Sequence, residues 1–491
     1  MASLIVWMNG ERVGEWGTLR GGRTPFFRYA ESWVRSPHGR AVSLSLPITA
    51  DLEIRGSAVE YYFDNLLPDS SAIRGRIRSR FRARSADAFD LLSAIGRDCI
   101  GAVQLLPPTE EPVGWDRIHA QALTDEEVAQ ALREVTLTTP FGHSEQMGFP
   151  ISLSGDQEKT ALLHMAGLWY RPRGATPTTH ILKLPLGGVG GFHGDFSDSV
   201  ENEWLCAQLL RELGLPVAEV AIGRFAEQRA LIVSRFDRRW IGVDAAEIHT
   251  PRFKPRRGMW IARLPQDDFC QALGLPNTLR YAADDGPSAL VGLQLLATSE
   301  APHVDQTHFA LAQLAFWLLA ATDGHAKNFS LYYGPGARYR MTPLYNVISA
   351  WPIIDHGKNQ LALEKAELAM AVHGRRARYR MSEITSHDWQ AFAEDTGTPE
   401  LWARMQSSTG RAPQARREIS RNSRCGSPRP WSPRTNASLG ELAAEGKGLA
   451  PRYSRHLARQ MSCCTDPGRL LRRVSPGSEE IGYLGITGSN M

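Results

Sequence analysis

Cysteine is scarce in this sequence, and the spacing of the few that occur excludes two classes of protein. Only six cysteines are present among 491 residues. Cys463 and Cys464 are adjacent and the others are isolated, so neither a disulfide framework nor paired metal-ligand or redox cysteines are expected. Because 42% of the residues are hydrophobic, the chain has enough apolar material for a sizeable core without such crosslinks.

Long apolar runs are also missing. Crossing a bilayer takes about 18 or more consecutive apolar residues, and no stretch of the chain provides them. The opening MASLIVWMNGERVGEW lacks the basic leader of a secretion signal. Its Asn9-Gly10 pair between alternating segments predicts a hairpin turn instead. We therefore expect a cytoplasmic protein that has no membrane segment.

Charge is small overall but unevenly distributed. The chain carries +4, whereas residues 406–491 hold 14 Arg/Lys and 6 Asp/Glu, a net +8, which leaves −4 for the rest. The mildly acidic body does not by itself indicate nucleic-acid binding. The tail is rich in Arg, Ser, Pro and Gly, which predicts disorder. Either a change of reading frame near residue 405 or a natural basic extension accounts for it.

Four regions follow from the pattern of strands, helices and breakers. Residues 1–110 alternate short strands and turns, and prolines just after them mark a linker. Residues 111–240 combine apolar strands with helices, whereas residues 241–405 are mostly helical and contain one apolar buried helix, Gln306 to Ala321. Residues 406–491 form the predicted disordered tail. The fold class is therefore α+β.

The most informative motif is Asp323-Gly-His-Ala-Lys-Asn328, which follows an apolar, helix-like stretch. Protein kinases use a carboxylate five positions before an amide in their catalytic loop. The Asp accepts the proton of the hydroxyl that is phosphorylated, and the Asn holds magnesium beside the ATP phosphates. His325 lies two residues after the Asp, where either a phosphate contact or a structural loop histidine fits.

Two upstream residues have the order of a kinase ion pair. Lys183 lies within the apolar segment HILKLP, which predicts a buried strand that carries the phosphate-binding lysine. An edge-strand lysine that points at water is the alternative. Glu203 follows in SVENEWLCAQLLREL, whose leucines recur at helical spacing. It is either the partner of Lys183 or a surface glutamate favoured by the helix dipole.

A polar loop precedes the Lys183 strand, from Ser152 to Glu158. Backbone amides of such a loop can cover the phosphates of a nucleotide. It holds one glycine, so it is neither a Walker A motif nor an ordinary kinase glycine-rich loop. The candidate cofactor-binding residues of this loop are Ser154, Gly155, Asp156, Gln157 and Glu158.

A second candidate nucleotide contact follows the apolar strand Leu231 to Val233. Ser234, Arg235 and Phe236 form its polar exit, which is where a kinase hinge presents backbone groups to adenine. A strand end with charged flanks is the alternative interpretation.

Taken together, these segments resemble the HipA family of serine/threonine kinase toxins from bacterial toxin–antitoxin pairs. The segments that carry the resemblance are ISLSGDQEKTALL, THILKLP, VENEW, VSRFDRRW, RLPQDDFCQALGLP, ATDGHAKNFSL and MTPLYNVISAWP. The resemblance implies a protein-kinase-like bilobal body with an N-terminal β-rich subdomain, and ATP and Mg²⁺ as cofactors. It also implies a HipB-like, DNA-binding antitoxin, DNA contact mainly through that antitoxin, and a protein substrate in translation such as an aminoacyl-tRNA synthetase.

The resemblance also implies a role for individual residues. The ATP lysine of the family falls on Lys183, its catalytic base on Asp323 and its metal-binding amide on Asn328. The autophosphorylated loop serine falls on Ser152, with Ser154 as a second candidate.

One position departs from the family pattern, because the second magnesium-ligating Asp falls on Asn346. An amide oxygen coordinates Mg²⁺ without a formal charge, whereas magnesium sites usually include one or two carboxylates. The loss of that charge is expected to weaken metal binding and transition-state stabilisation. The chain is thus either an active kinase or a catalytically weak or dead nucleotide-binding protein that acts through an antitoxin–DNA repressor complex.

Overall fold

A computed structural model gives the fold of this chain. The predicted tail, residues 406–491, lies outside the part of the chain that the structure describes. The described residues are 2–18, 24–137, 151–189, 194–251, 253–336, 338–355, 360–373, 376–395, 401–403 and 405.

The N-terminal region folds around one antiparallel sheet. Its strands are β1 (Ser3–Met8), β2 (Glu11–Thr18), β3 (Pro25–Tyr29), β4 (Glu53–Arg55) and β5 (Gln104–Leu106), in the spatial order β4-β3-β2-β1-β5. Four helices accompany it: α1 (Glu31–Arg35), α2 (Ser57–Asp64), α3 (Ser71–Phe81) and α4 (Ala88–Ile95).

Local sequence explains how this sheet begins and where its core lies. Asn9 and Gly10 have φ of 47° and 85°, the left-handed pair of a two-residue hairpin turn, so the predicted turn is confirmed. Trp16 of β2 stacks on Phe63 of α2 with ring centroids 4.0 Å apart, so the sheet packs against this helix through the two rings.

The second region is a six-stranded antiparallel sheet, and two helices lie between its strands along the chain. Its elements are β6 (Ala120–Leu123), α5 (Asp125–Val135), β7 (Lys159–Met165), β8 (Leu168–Pro172), β9 (His180–Lys183), α6 (Ser199–Glu212), β12 (Val220–Phe225) and β13 (Gln228–Ser234). The strand order is β12-β13-β9-β7-β8-β6, and the hairpin β10 (Gly187–Val189) and β11 (Gly194–Phe196) stands apart from this sheet. Thr124 and Glu127 form a capping box at the start of α5, which fixes that helix end.

The third region combines helices with three short sheets. Its helices are α7 (Ala245–Ile248), α8 (Phe269–Leu273), α9 (Ala289–Leu296), α10 (Pro302–Leu319) and α11 (Ser386–Asp395). The sheets pair β14 (Arg238–Ile241) with β15 (Trp260–Arg263), β16 (Gln266–Asp268) with β17 (Ser330–Tyr333) and β18 (Tyr339–Met341), and β19 (Glu367–His373) with β20 (Ala377–Arg380).

The long apolar helix α10 is central to the core of the third region. It starts with Pro302 in its first turn. Its last residue, Leu319, is followed by the C-cap residue Ala320, which adopts a left-handed conformation with φ of 49°. Phe309 and Phe316 of this helix lie 4.8 and 5.6 Å from the ring of Phe329, which follows the DGHAKN motif directly. The helix thereby provides a rigid support for that motif.

A buried ionic cluster connects the three regions. Asp98 of the N-terminal region lies 3.4 Å from Arg235, 2.9 Å from Arg238 and 3.2 Å from Arg263, and all four side chains are at most 2% exposed. Burial alone would raise the pKa of Asp98, but the three guanidinium groups outweigh it and hold this pKa well below its usual range. Because removal of one partner leaves a buried charge uncompensated, the cluster fixes the regions relative to one another.

Among the described residues, no helix combines the length and the apolar composition that crossing a membrane requires.

Candidate functional site

Lys183 and Glu203 form a buried ion pair. Lys183 ends β9, a central strand between β13 and β7, and its Nζ donates to both carboxylate oxygens of Glu203 at 2.7 and 2.9 Å. The two residues are only 6% and 3% exposed. The alternatives of an edge-strand lysine and a surface glutamate are therefore wrong, because both side chains point into the protein.

A chain of hydrogen bonds extends from this pair to the DGHAKN motif. The Nζ of Lys183 also donates to the Oδ1 of Asn346 at 2.7 Å, and the Nδ2 of Asn346 donates to the Oδ1 of Asn328 at 3.0 Å. The Nδ2 of Asn328 in turn donates to the main-chain oxygen of Asp323 at 2.6 Å. Five residues, Glu203, Lys183, Asn346, Asn328 and Asp323, thus meet at one place, as the corresponding residues of a kinase site do.

The Asp323 carboxylate is accessible to solvent, as a base that meets a substrate requires. Its side chain is 56% exposed. Gly324 is needed beside it, because a Cβ there would lie 2.3 Å from the ring of Phe316. The ring of His325 is buried, and its Nε2 lies 3.8 Å from the Oδ1 of Asp323. Burial lowers the pKa of His325, so this imidazole is neutral at pH 7.

Lys327, within the same motif, anchors residues 323–328 to the N-terminal region. Its Nζ donates to the Oδ1 of Asn65 at 2.6 Å and lies 3.2 Å from Asp69 and 3.6 Å from Asp268. Burial alone would lower the pKa of Lys327, but the two carboxylates raise it above its ordinary value. The lysine therefore stays charged and holds the motif in position.

The polar loop between residues 152 and 158 is held in place by contacts with other segments of the protein. Ser152 is fully buried, and its Oγ donates to the main-chain oxygen of Leu66 at 2.7 Å. Gln157 donates to the main-chain oxygen of Leu184 at 2.6 Å, and Glu158 is ion-paired with Arg76.

Asp156 of this loop pairs with Arg280 at 2.7 Å. Each of the three predicted cofactor contacts Asp156, Gln157 and Glu158 thus has one side-chain contact with another part of the protein. The main-chain oxygen of Ser154 in this loop accepts a hydrogen bond from the Nζ of Lys159 at 2.5 Å. Gly155 has φ of 98°, which favours glycine at this turn.

The side chains of the predicted hinge also contact other parts of the protein. The Oγ of Ser234 lies 3.1 Å from the Nε2 of His180, and the ring of Phe236 packs against Tyr332 and Tyr345. The guanidinium of Arg235 lies in the buried ionic cluster, where it pairs with Asp98 and Asp237. The Arg235 side chain is therefore a structural contact, and any contact of Arg235 with adenine would involve its backbone.

Lys159 is a functional candidate that the sequence reasoning missed. It begins β7 and is the cross-strand partner of Lys183 on β9, so two lysines lie side by side. Like charges directly opposite each other on neighbouring strands are destabilising. Burial first, and then the charge of Lys183, lower the pKa of Lys159 to about 8. An arrangement of this kind favours an anionic ligand such as a triphosphate. The available signal was the position of Lys159 at the end of the polar loop.

Tyr281 is the second residue that the sequence reasoning missed. Its hydroxyl donates to the Oδ1 of Asp323 at 2.5 Å, although 42 positions separate the two residues. No local pattern around Tyr281 indicates this contact.

The two predicted metal-binding residues, Asn328 and Asn346, are both amides. In the described part of the chain, no group of three or more His, Cys, Asp or Glu side chains converges to hold a metal ion. The amide oxygen of Asn328 accepts from the Nδ2 of Asn346, and the amide oxygen of Asn346 accepts from the Nζ of Lys183. These hard oxygen donors fit Mg²⁺ that is carried by a nucleotide, since the phosphates supply further ligands, but they bring no negative charge.

Comparison with known proteins identifies the family. Residues 151–421 match the HipA-like C-terminal domain, and residues 4–106 match the HipA N-terminal domain. The chain belongs to the HipA family. Both the N-terminal sheet and the region that contains Lys183 and Asp323 thus lie within segments that match HipA domains.

Individual relatives agree with this HipA assignment. The chain is 31% identical over 402 residues to "Putative kinase Y4mE" of Sinorhizobium fredii. This alignment covers 80% of this chain and 86% of that protein. It is 25% identical over 408 residues to the serine/threonine-protein kinase toxin HipA of Shewanella oneidensis, with 80% and 83% covered. The solved complex of Shewanella oneidensis HipA with HipB and operator DNA contains a chain whose fold is similar to that of this protein, with a TM-score of 0.68 and 22% identity. The match covers 94% of this chain and 96% of that chain.

Proposed function

We propose that the protein is a cytoplasmic, ATP-dependent serine/threonine protein kinase and the toxin of a toxin–antitoxin pair. The observation that carries this proposal is the continuous hydrogen-bonded chain from Glu203 through Lys183, Asn346 and Asn328 to the loop of Asp323. It combines a phosphate-binding lysine, metal-binding amides and an exposed carboxylate in one site.

Each side chain has a defined task in this proposal. Lys183, oriented by Glu203, and Lys159 beside it bind the phosphates of ATP. Asp323 takes the proton from the acceptor hydroxyl as that oxygen attacks the γ-phosphate. Asn328 and Asn346 would hold Mg²⁺, which when bound offsets negative charge on the phosphates. His325 is a neutral neighbour of the transferred group.

Nucleotide binding provides the first experimental test. Calorimetric titration of the full chain with ATP and then AMP, each with Mg²⁺, is expected to show markedly tighter binding of ATP. The reason is that the lysine pair contacts the outer phosphates, which AMP lacks. Equal affinity for the two nucleotides would contradict the phosphate-binding role of Lys159 and Lys183.

Lys159 makes this affinity dependent on pH. Its pKa of about 8 means that the ammonium is charged below that pH and is lost above it. We expect the Kd for ATP to rise between about pH 7 and 9, where protonation of Lys159 falls to roughly a tenth. Lys159→Arg should flatten this dependence because arginine stays charged. The exposed substitution Lys254→Arg is the matched control, and a profile that Lys159→Arg leaves unchanged would contradict the assignment.

Ser152 is the proposed site of autophosphorylation, and its burial gives this modification a consequence. The hydroxyl must leave its contact with the Leu66 carbonyl before it is phosphorylated. A phosphoserine carries about −1.5 to −2 charge and has no room to return to a fully buried site that offers a carbonyl oxygen. Phosphorylation would therefore keep the loop out of the ATP site and switch the kinase off.

Substitution of Ser152 tests this switch. We expect Ser152→Ala to remain active longer during incubation with ATP, and Ser152→Asp to be weak from the start. Time courses of activity with phosphopeptide mapping are the measurement, and Ser154→Ala is the control. Phosphate on Ser154 alone would move the switch by two residues, whereas phosphate on neither serine would count against autoregulation in this loop.

A HipB-like antitoxin is the proposed partner, and DNA contact is proposed to occur mainly through it. This proposal is supported by the solved complex of the Shewanella oneidensis protein, which contains HipB and operator DNA. As substrate we propose a translation component such as an aminoacyl-tRNA synthetase, on the resemblance to the family alone.

A second function is favoured by Asn346. Because an uncharged amide occupies this position and is hydrogen-bonded to both Lys183 and Asn328, the site holds ATP with less support for its metal. The alternative is a weak or inactive nucleotide-binding protein that acts through an antitoxin–DNA repressor complex. Measurable DNA binding with antitoxin, together with no phosphoryl transfer at any Mg²⁺ concentration, would favour this second function.

A further inference from the structure

The hydroxyl of Tyr281 lies on the proposed catalytic base. It donates to the Oδ1 of Asp323 at 2.5 Å, and no other side-chain hydrogen bond to this carboxylate is seen among the described residues. His325, at 3.8 Å from the same oxygen, is too far away for one. The contact lies at the surface, so a molecule that approaches Asp323 from solvent meets the tyrosine there.

The tyrosine ring is held in place from two sides. The guanidinium of Arg280 lies 5.3 Å from the ring centroid, and the ring of His325 meets it edge-on at 5.0 Å. Arg280 is itself fixed by Asp69 of the N-terminal region at 2.9 Å and by Asp156 of the polar loop at 2.7 Å. The position of Tyr281 over Asp323 is thus determined by surrounding elements.

The chemistry of a phenol makes this contact different from a catalytic one. Burial and the neighbouring Asp323 carboxylate raise the pKa of Tyr281, so its hydroxyl stays protonated and acts as a donor. An acceptor hydroxyl must donate to Asp323 in the same way before it loses its proton. Tyr281 and an incoming hydroxyl therefore compete for the carboxylate, and water is the most abundant competitor.

We propose that Tyr281 determines acceptor specificity: its hydroxyl occupies the Oδ1 of Asp323 until a protein hydroxyl displaces it, and thereby suppresses transfer of the γ-phosphate to water. This inference rests on the proposed kinase function. In the suppressed reaction a water oxygen bonds to the γ-phosphorus, its proton passes to Asp323, the bond to the β,γ-bridging oxygen breaks, and ADP and inorganic phosphate leave. In the favoured reaction a serine oxygen takes the place of water.

Release of inorganic phosphate from ATP in the absence of protein substrate is the main measurement. Tyr281→Phe keeps the ring and removes the hydroxyl, and we expect its hydrolysis rate to rise by roughly tenfold, since hydrogen bonds to charged groups are strong. The matched control is Tyr339→Phe, which removes a hydroxyl that donates to Leu295 instead, and it should leave hydrolysis unchanged. The double variant Tyr281→Phe/Asp323→Asn should lose the gain. Hydrolysis that stays level or falls in Tyr281→Phe overturns the proposal.

Carbodiimide labelling of Asp323, mapped by mass spectrometry without nucleotide, separates this inference from the kinase function. Labelling should be faster in Tyr281→Phe than in the unsubstituted protein, with the exposed Asp284 and Asp285 as internal references. If labelling and hydrolysis are both unchanged in a protein that still phosphorylates serine, the proposed role of Tyr281 is rejected and the proposed kinase function stands. If labelling is faster but ATP is not turned over, even after Asn346→Asp, both the role of Tyr281 and the kinase function are rejected.

Discussion

Asp323→Asn is expected to reduce phosphoryl transfer by ~10²–10⁴-fold while ATP binding changes little. The carboxylate would no longer take the proton of the acceptor hydroxyl, whereas the lysines that bind the phosphates lie on other elements. The Asp323 side chain is 56% exposed, and aspartate and asparagine have nearly the same shape, so the fold should be retained. Initial rates of phosphate incorporation, together with a calorimetric Kd for ATP, are the measurements.

The exposed Asp284→Asn is a matched control for this substitution, because it makes the same chemical change outside the hydrogen-bonded chain. It should leave the rate of transfer as it is. Transfer by Asp323→Asn at the rate of the unsubstituted protein would remove Asp323 from the role of base.

Asn346→Asp is expected to raise the rate of transfer by about tenfold or more, which corresponds to ~1.4 kcal/mol of transition-state stabilisation. The added carboxylate would lie beside Asn328 and Lys183 and would tighten binding of Mg²⁺ with ATP. Residue 346 has φ of 58°, a left-handed conformation that Asn and Asp tolerate better than most residues. Rates measured across a Mg²⁺ series should show a requirement for high Mg²⁺ in the unsubstituted protein and a lower requirement in Asn346→Asp.

Two further variants make this result interpretable. Lys183→Met in the Asn346→Asp background should cancel the gain, since the phosphates would lose their lysine. If Asn346→Asp alters neither the Mg²⁺ dependence nor the rate, either residue 346 is not at the metal or the basic tail, residues 406–491, disables the protein. Replacement of residues 406–491 with the C-terminal segment of a HipA-family relative separates these two explanations.

The sequence predicted the parts of the site that depend on local patterns. Lys183 was predictable because it ends a short apolar strand, and Glu203 because it lies on a helix with regular leucine spacing. Asp323 and Asn328 were predictable from their five-residue spacing after an apolar helix. The hairpin turn at Asn9-Gly10 was also predictable from local sequence, because two adjacent residues determine its backbone conformation.

The sequence did not predict contacts that depend on the packing of distant regions. The burial of Ser152 results from the main chain at Leu66, which is 86 positions away. The orientation of Arg235 results from Asp98 of the N-terminal region, 137 positions away. Tyr281 reaches Asp323 only because Arg280 is held by two other segments. Such contacts follow from tertiary structure and leave no periodic signal in the chain.

Transfer of label from γ-labelled ATP to the full-length protein, with Mg²⁺ and site mapping by mass spectrometry, tests the kinase proposal most directly. The account predicts label on a serine of the segment 152–154, a rate that rises with Mg²⁺, and loss of label in Asp323→Asn. Tight binding of ATP with no label on any serine, at high Mg²⁺ and in Asn346→Asp as well, would contradict it.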